Sequence, residues 1–329
     1  MLYKCTNNTL KEKNFDRNFN PSLDTLAQLP TKQKKSGLTT LQKRARSKWF
    51  TSQIVTPLIL HTQYIEKDEQ FRKYFSNAFY CSHILTQRDK KVKTKYCNTR
   101  ICNQCNRIRT AKLIKGYISQ LQSKNLFFVT LTVPNVFKDD LKSTISKMIK
   151  DCSNIIRVIR ERKKIDVNGI RKIEVTYNEK TNMYHPHIHL LVDGCENLIV
   201  QEWLKRNTLS LRKAQDIRSA DKNSLNELFK YTTKIGLSKN TKESNNIKIY
   251  VEPLYNIIKS LHKKRAIQPF GNIKKVSEEI EEEELKGEEY KELPEYEFME
   301  WIWGENDWVN EHSELLTNYK PPNILFNTG

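Results

Sequence analysis

The chain has 329 residues, a hydrophobic fraction of 37% and a formal net charge of +19. No stretch approaches the roughly 20 apolar residues of a membrane-spanning helix, and the first residues lack the apolar core of a secretory signal. These features argue against a membrane or secreted protein. We expect a protein of the bacterial cytoplasm with one main core and room for a second small module.

Charge is unevenly distributed along the chain. Residues 278–314 contain 16 acidic and 2 basic residues, so the rest of the chain carries a formal net charge of +33. A body this basic attracts polyanions, of which nucleic acid is the commonest. A Lys-rich protein that is only soluble would show the same charge, so the charge alone does not decide between these two interpretations.

Composition predicts four parts. They are a basic N-terminal arm with a helical segment at 1–75, a zinc-binding module with a basic helix at 76–122, a main domain at 123–275 and an acidic tail at 276–329. The arm is expected to be weakly ordered to about residue 45, because it is polar and carries two basic runs.

The zinc prediction rests on four of the seven cysteines, Cys81, Cys97, Cys102 and Cys105. A Cys-x-x-Cys pair can close a tight turn around a tetrahedral ion, and a further pair can complete the site. His83 competes with Cys81 for the fourth position, and free buried thiols are the plain alternative. Four protein ligands leave no open position, so the zinc ion (Zn²⁺) would be structural.

Basic side chains surround this cysteine cluster and continue into a helix predicted at about 107–122. Such residues commonly contact the phosphates of a DNA backbone. The predicted DNA-binding residues are Lys93, Lys95, Arg100, Arg107 and Arg109.

The main domain is predicted to alternate strands and helices. In chain order these are a strand at 126–134, a helix at 138–162, strands at 170–178 and 183–192 joined by a four-residue loop, helices at 201–206 and 224–233, a strand at 247–251 and a helix at 253–262. We expect an α+β fold with a central antiparallel sheet of about five strands and helices packed on one face.

Three histidines share one face of a predicted strand, because side chains alternate along it: His185, His187 and His189. If residue 178 pairs with residue 183, Glu174 lies opposite His187 on that face. A one-residue slip would move it to the other face. The carboxylate with His187 and His189 suits Mg²⁺ or Mn²⁺ with open positions. His185 would contact substrate or support its neighbours, and a surface strand without a metal is the alternative.

A second motif follows downstream. Ser224 and Glu227 match a capping box that would begin a helix, and Glu227 and Tyr231 are then i and i+4 on one face. A tyrosine phenolate can attack a backbone phosphate and become covalently attached. Lys234 would stabilise the phenolate or phosphate, and Glu227 would activate a water that releases the adduct. Alone, Glu-x-x-x-Tyr is a weak signal.

In this order the motifs resemble those of plasmid rolling-circle replication initiators, the Rep branch of the HUH endonucleases. The matching elements are the strand around Phe128–Asn135, the His185-Pro-His187-Ile-His189 segment, and Glu227 with Tyr231 and Lys234. The resemblance implies the HUH endonuclease fold and a strand-specific nick at an origin. Glu227 in place of a second tyrosine matches a single-tyrosine branch.

The resemblance also implies the products and partners. Tyr231 would hold the 5′ phosphate and leave a 3′ hydroxyl, with Glu227 assisting hydrolytic termination. The DNA partner would be an origin, either single-stranded or extruded as a hairpin. A host helicase and polymerase would follow, and no membrane is involved.

Other functions fit parts of the sequence. His185 to Leu191 formally matches a histidine-triad nucleotide hydrolase or transferase, which would use no metal. A non-catalytic zinc-dependent DNA-binding regulator would keep the histidines as structural residues. A tyrosine transposase of the HUH superfamily would share nearly the same chemistry.

The acidic tail lies outside the resemblance. Its Trp301, Trp303 and Trp308 could form a partner-binding helix or pack on the body. The tail could also mask the basic DNA surface as a polyanion.

Overall fold

A computed structural model describes residues 38–88, 91–121, 125–229, 237–239, 246–280 and 298–328. The described residues form two compact units. One, the sheet unit, contains residues 113–229 and 257–276; the other, the cysteine unit, contains the remaining described residues. These two units differ from the four parts predicted from composition. Among the described residues, no helix combines the length and apolar character needed to cross a membrane.

The helices in chain order are α1 Thr40–Leu60, α2 Glu69–Phe79, α3 Asn103–Leu121, α4 Lys138–Arg157, α5 Glu196–Arg206, α6 Lys222–Phe229 and α7 Val251–Leu261. Short π-helical turns extend α1 over His61–Ile65 and α4 over Val158–Arg162. The strands are β1 Ile84–Arg88, β2 Lys91–Thr94, β3 Phe127–Thr132, β4 Gly169–Asn178, β5 Met183–Val192, β6 Asp216–Ser219, β7 Leu237–Lys239, β8 Asn246–Ile249, β9 Ile267–Phe270, β10 Met299–Ile302, β11 Asp307–Val309 and β12 Leu325–Thr328.

The sheet unit is built on five strands in the order β6-β3-β5-β4-β9, each antiparallel to its neighbours. The β4–β5 hairpin is central, as predicted. Asn178 pairs with Met183 and Glu174 with His187, so the predicted register is confirmed. This register decides the site, because it places the carboxylate and the histidines on one face.

Helices cover both faces of this sheet. Helix α4 packs on β5 and buries an apolar stripe of Leu141, Ile145, Met148, Ile155 and Ile156. Helix α6 lies on the histidine face, since Lys172 of β4 donates a hydrogen bond to the backbone oxygen of Glu227. The expectation that helices pack on one face therefore holds for α4 and is wrong for α6, which lies on the histidine face.

Helix α6 begins at Lys222, two residues before the predicted start at residue 224. Asp221 accepts hydrogen bonds from the backbone and hydroxyl of Ser224 at 2.8 and 2.7 Å, and the Ser224 hydroxyl accepts from the Asp221 backbone at 3.1 Å. Asp221 is therefore the N-cap, and the predicted box of Ser224 with Glu227 is wrong. An aspartate caps a helix as well as a serine does. Because Asp221 precedes Ser224 in the chain, the helix begins directly after Asp221.

The cysteine unit contains two further sheets. The first has the order β11-β10-β1-β2 and is antiparallel; the second has the order β12-β8-β7, with β12 parallel to β8. Helix α1 begins with a capping box formed by Thr39 and Gln42. Since α1 starts at Thr40 and buries Leu41 and Ala45, the arm predicted to extend to about residue 45 is too long. Residues 1–37 lie outside the described part.

The acidic segment is not wholly a tail. Strands β10 and β11 pair with each other, and β10 pairs with β1. Trp301 and Trp308, each 1% exposed, pack in a core with Trp49 of α1. The free energy gained by burying these indoles exceeds the cost of bringing the surrounding negative charges into the fold. Of the two alternatives for the tail aromatics, packing on the body is the one observed.

Candidate active site

The central hairpin brings together the predicted ligands of the divalent ion. Glu174 of β4 and His187 and His189 of β5 offer ligand atoms that all lie within 4.8 Å of one another. The Oε2 atom of Glu174 is 3.3 Å from Nε2 of His187 and 3.3 Å from Nε2 of His189. One carboxylate and two imidazoles on a rigid sheet leave room for water and a phosphate around an ion.

The second nitrogen of each imidazole is held by the protein. Nδ1 of His187 is 3.2 Å from the backbone oxygen of His185, and Nδ1 of His189 is 3.1 Å from the Thr130 hydroxyl. A backbone oxygen accepts only, so Nδ1 of His187 carries a proton, and Nε2 is the nitrogen that faces Glu174. Such partners orient metal-binding histidines, and the donor set fits a divalent cation.

Lys172 is a functional residue that the sequence did not reveal. It is 3% exposed, forms an ion pair with Glu174 and donates to the backbone oxygen of Glu227 at 2.8 Å. Burial opposes ionisation of Glu174, but hydrogen bonds from His187 and His189 and the charge of Lys172 hold its pKa well below the usual range. The carboxylate is thus present as an anion ready to bind a cation. Its position two residues before Glu174 on the same strand face was the only signal available.

His185 lies beside this group but outside it. Its Nδ1 is 2.8 Å from Oδ1 of Asn135, and its ring stacks on that of His187 with centroids 5.4 Å apart. Burial lowers the pKa of His185, and the neighbouring His187 adds to the effect. Its supporting or substrate-contacting role stays a prediction.

Glu227 reaches the same side of the sheet on α6. Its carboxylate is exposed and accepts a hydrogen bond from Nη2 of Arg218 on β6 at 2.6 Å. Arg218 also lies over the ring of Phe128, 4.6 Å from its centroid. Arg218 is a second residue that the sequence did not identify, because β6 was not predicted. Tyr231 and Lys234 lie outside the described residues, since the described part of α6 ends at Phe229.

The four predicted zinc ligands converge in the cysteine unit. Cys105 Sγ is 3.6 Å from both Cys81 Sγ and Cys97 Sγ, and the four sulfurs, including that of Cys102, lie within 4.8 Å of one another. A tetrahedral zinc with bonds of about 2.3 Å would separate its sulfurs by about 3.8 Å, so the cluster fits the ion. His83 instead contacts Glu300 at 3.1 Å, which leaves Cys81 as the fourth candidate ligand.

The predicted DNA-binding residues differ in exposure. Lys93, Lys95 and Arg107 are exposed and Arg100 is half-buried. Arg109 is only 3% exposed and donates to Asn106 Oδ1 and to the backbone oxygens of Asn98 and Glu278. Its guanidinium donates to protein acceptors, and its role as a phosphate contact stays a prediction.

Known proteins resemble the chain. A family model described as "Replication protein" matches residues 88–194. A Protein rep from Staphylococcus aureus is 31% identical over 172 residues, which cover 45% of this chain and 73% of the relative. A Replication protein from the same species is 28% identical over 197 residues, 53% of this chain and 81% of the relative. The chain belongs to this replication protein family.

One further match is shorter. A Protein rep from Streptococcus pneumoniae is 31% identical over 104 residues, 30% of this chain and 32% of the relative. No solved structure matches the chain. The replication-family match includes Glu174, His187 and His189 but ends before Glu227 and Tyr231, so the candidate metal group lies inside it and the predicted nucleophile outside it.

Proposed function

We propose that this replication protein is an initiator of plasmid rolling-circle replication, which nicks one DNA strand at an origin through a covalent tyrosine adduct. The observation that carries the proposal is the group formed by Glu174, His187 and His189, with both Nε2 atoms turned toward the carboxylate. The HUH fold and the single-tyrosine branch are part of the same proposal.

In the proposed reaction, the Tyr231 phenolate oxygen forms a bond to the phosphorus of the scissile phosphate. The phenol proton of Tyr231 passes to water before the attack. The bond from phosphorus to the 3′ oxygen breaks, and that oxygen takes a proton from water to become the free 3′ hydroxyl. A Mg²⁺ or Mn²⁺ ion held by the Glu–His–His group would withdraw charge from the phosphate oxygens. Lys234 would stabilise the phenolate, and the 5′ phosphate would stay on Tyr231.

Resolution of the adduct is assigned to Glu227. Its exposed carboxylate can accept a proton from water, which then attacks phosphorus and releases the tyrosine. The ion pair with Arg218 at 2.6 Å holds this carboxylate in place. Lys172 also links the backbone of Glu227 to Glu174, so this part of α6 lies on the same face of the sheet as the metal group.

The zinc ion belongs to the cysteine unit, where Cys81, Cys97, Cys102 and Cys105 would hold it. The exposed Lys93 and Lys95 stand on and beside β2 and would contact DNA phosphates. A host helicase and polymerase would use the open strand and the 3′ hydroxyl.

The test uses single-stranded DNA that carries the origin of the protein's own replicon, with Mn²⁺, and a denaturing gel. A covalent adduct is expected, and Tyr231→Phe should abolish it, whereas the matched Tyr177→Phe variant should retain it. An adduct that survives Tyr231→Phe would move the nucleophile to another tyrosine. Origin binding without any adduct would favour the non-catalytic regulator.

A further inference from the structure

A cavity of about 530 Å³ opens in the sheet unit on the face opposite the histidines. It lies between α4 and the β4–β9 side of the sheet. Its walls mix apolar and basic side chains, namely Ile149, Cys152, Ile156, Arg171, Lys264, Arg265, Pro269 and Phe270, with Ser146, Ser153 and Gln268. The volume is in the range of small-molecule binding pockets.

Arg171 is the unusual member of this lining. Arg171 is 5% exposed, and its Nη2 donates to the backbone oxygen of Arg265 at 3.2 Å. Its Nη1 is buried and has no hydrogen-bond partner in the described part of the chain. Buried guanidinium groups are normally paired, because an unpaired buried donor or charge is costly.

Neighbouring groups do not balance this charge. Burial raises the pKa of Cys152 to about 11, so this thiol is neutral at pH 7. Asp151 is held by Lys147 through a 2.7 Å contact. Among the described residues, no carboxylate forms an ion pair with Arg171, whose side chain lines the cavity.

Two more basic residues line the cavity. Lys264 is half-buried and its Nζ donates to the Ser146 hydroxyl at 2.8 Å. Arg265 is exposed and donates from Nη1 to Oε1 of Gln268 at 3.0 Å. The three cationic side chains around the cavity carry more positive charge than a single carboxylate would neutralise. A phosphate carries more charge and accepts the planar guanidinium in a bidentate contact.

We propose that this cavity is a binding site for a phosphate group joined to a sugar or base, separate from the metal group. The phosphate would contact Arg171, with Lys264 and Arg265 at the rim, and the attached group would lie against Ile149, Pro269 and Phe270. A free mononucleotide and a DNA strand both carry this chemistry. The inference does not depend on the proposed nicking reaction.

Calorimetric titration of the full chain, without added Mg²⁺ or Mn²⁺, tests the site with three probes. They are inorganic phosphate, a deoxymononucleotide and a short single-stranded DNA without the origin. Arg171→Met should weaken binding of the responsible probe at least tenfold. Arg157→Met, which removes an exposed arginine of α4 outside the cavity, should leave the affinity unchanged.

The probes also separate the two sources of phosphate. Loss of mononucleotide binding in Arg171→Met with unchanged DNA binding identifies a free nucleotide, and loss of DNA binding identifies the strand. Lys264→Met gives a second test that does not disturb a buried residue, with at least threefold weaker binding expected. Affinities unchanged in both variants, or no binding of any probe by the original protein, would overturn the proposal.

Discussion

Lys172 links two parts of the proposed mechanism through one ammonium group. It pairs with Glu174 and donates to the backbone oxygen of Glu227, near the end of the described part of α6. A single side chain can therefore affect both the ligand carboxylate and the helix that precedes Tyr231.

Replacement of Lys172 by Met should weaken Mn²⁺ binding about tenfold or more, because groups behind a metal ligand typically contribute that much. It should also slow adduct formation. Calorimetric titration with Mn²⁺ measures the first effect and the denaturing gel the second. The control is Lys150→Met, an exposed lysine of α4. Unchanged Mn²⁺ affinity would refute the link.

At the scale of elements, the N-cap of α6 offers a test that is separate from the chemistry. Asp221→Ala removes the acceptor of two bonds from Ser224, and loss of an N-cap typically costs about 1 kcal/mol. We expect a lower free energy of unfolding in a urea titration. Asp216→Ala on β6, an exposed residue, should have a smaller effect. Equal effects would show that the cap is not responsible.

The β4–β5 hairpin and its register could be predicted from the sequence for a physical reason. A four-residue loop between two ten-residue strands fixes one register, and the register alone places Glu174 opposite His187. Edge strands β6 and β9 have only four residues each, too few to show a period. The contacts of Lys172, Arg171 and Arg218 depend on which strands become neighbours, which no local pattern encodes.

The acidic segment shows a different kind of error. Its negative charge suggested a solvated tail, although Met299 and Trp301 alternate with exposed residues in the period of a strand. The alternation predicts a strand, whereas the negative charge predicts a solvated tail. Burial is decided by the few apolar side chains of a segment rather than by its average polarity.

For the whole molecule, zinc should hold the cysteine unit together. Cys102→Ser removes one of four ligands and should abolish the bound zinc and lower the unfolding temperature, because zinc binding contributes to folding. Zinc content by mass spectrometry and thermal denaturation measure the two effects. Cys195→Ser, in the sheet unit, should retain the zinc. A Cys102→Ser protein that keeps one zinc per chain would contradict the assignment.

Binding of DNA to the exposed lysines should depend on salt. Each phosphate contact adds about 0.9 to the slope of log affinity against log salt for duplex DNA. Lys93→Met with Lys95→Met should therefore lower the slope by about 2 if both residues contact phosphates. Fluorescence anisotropy over a salt series measures it. A slope equal to that of the original protein would place DNA elsewhere.

The tryptophans are divided unequally between the two units. Trp49, Trp301, Trp303 and Trp308 belong to the cysteine unit, whereas Trp203 alone belongs to the sheet unit. Its indole Nε1 donates at 3.0 Å to the backbone oxygen of Thr132, the residue paired with His187. Intrinsic emission of the protein thus reports mainly on the cysteine unit. A variant in which the other four tryptophans are replaced by phenylalanine would carry a single fluorophore, Trp203, beside the histidine strand. Its emission would then report on the binding of a cation to the histidines.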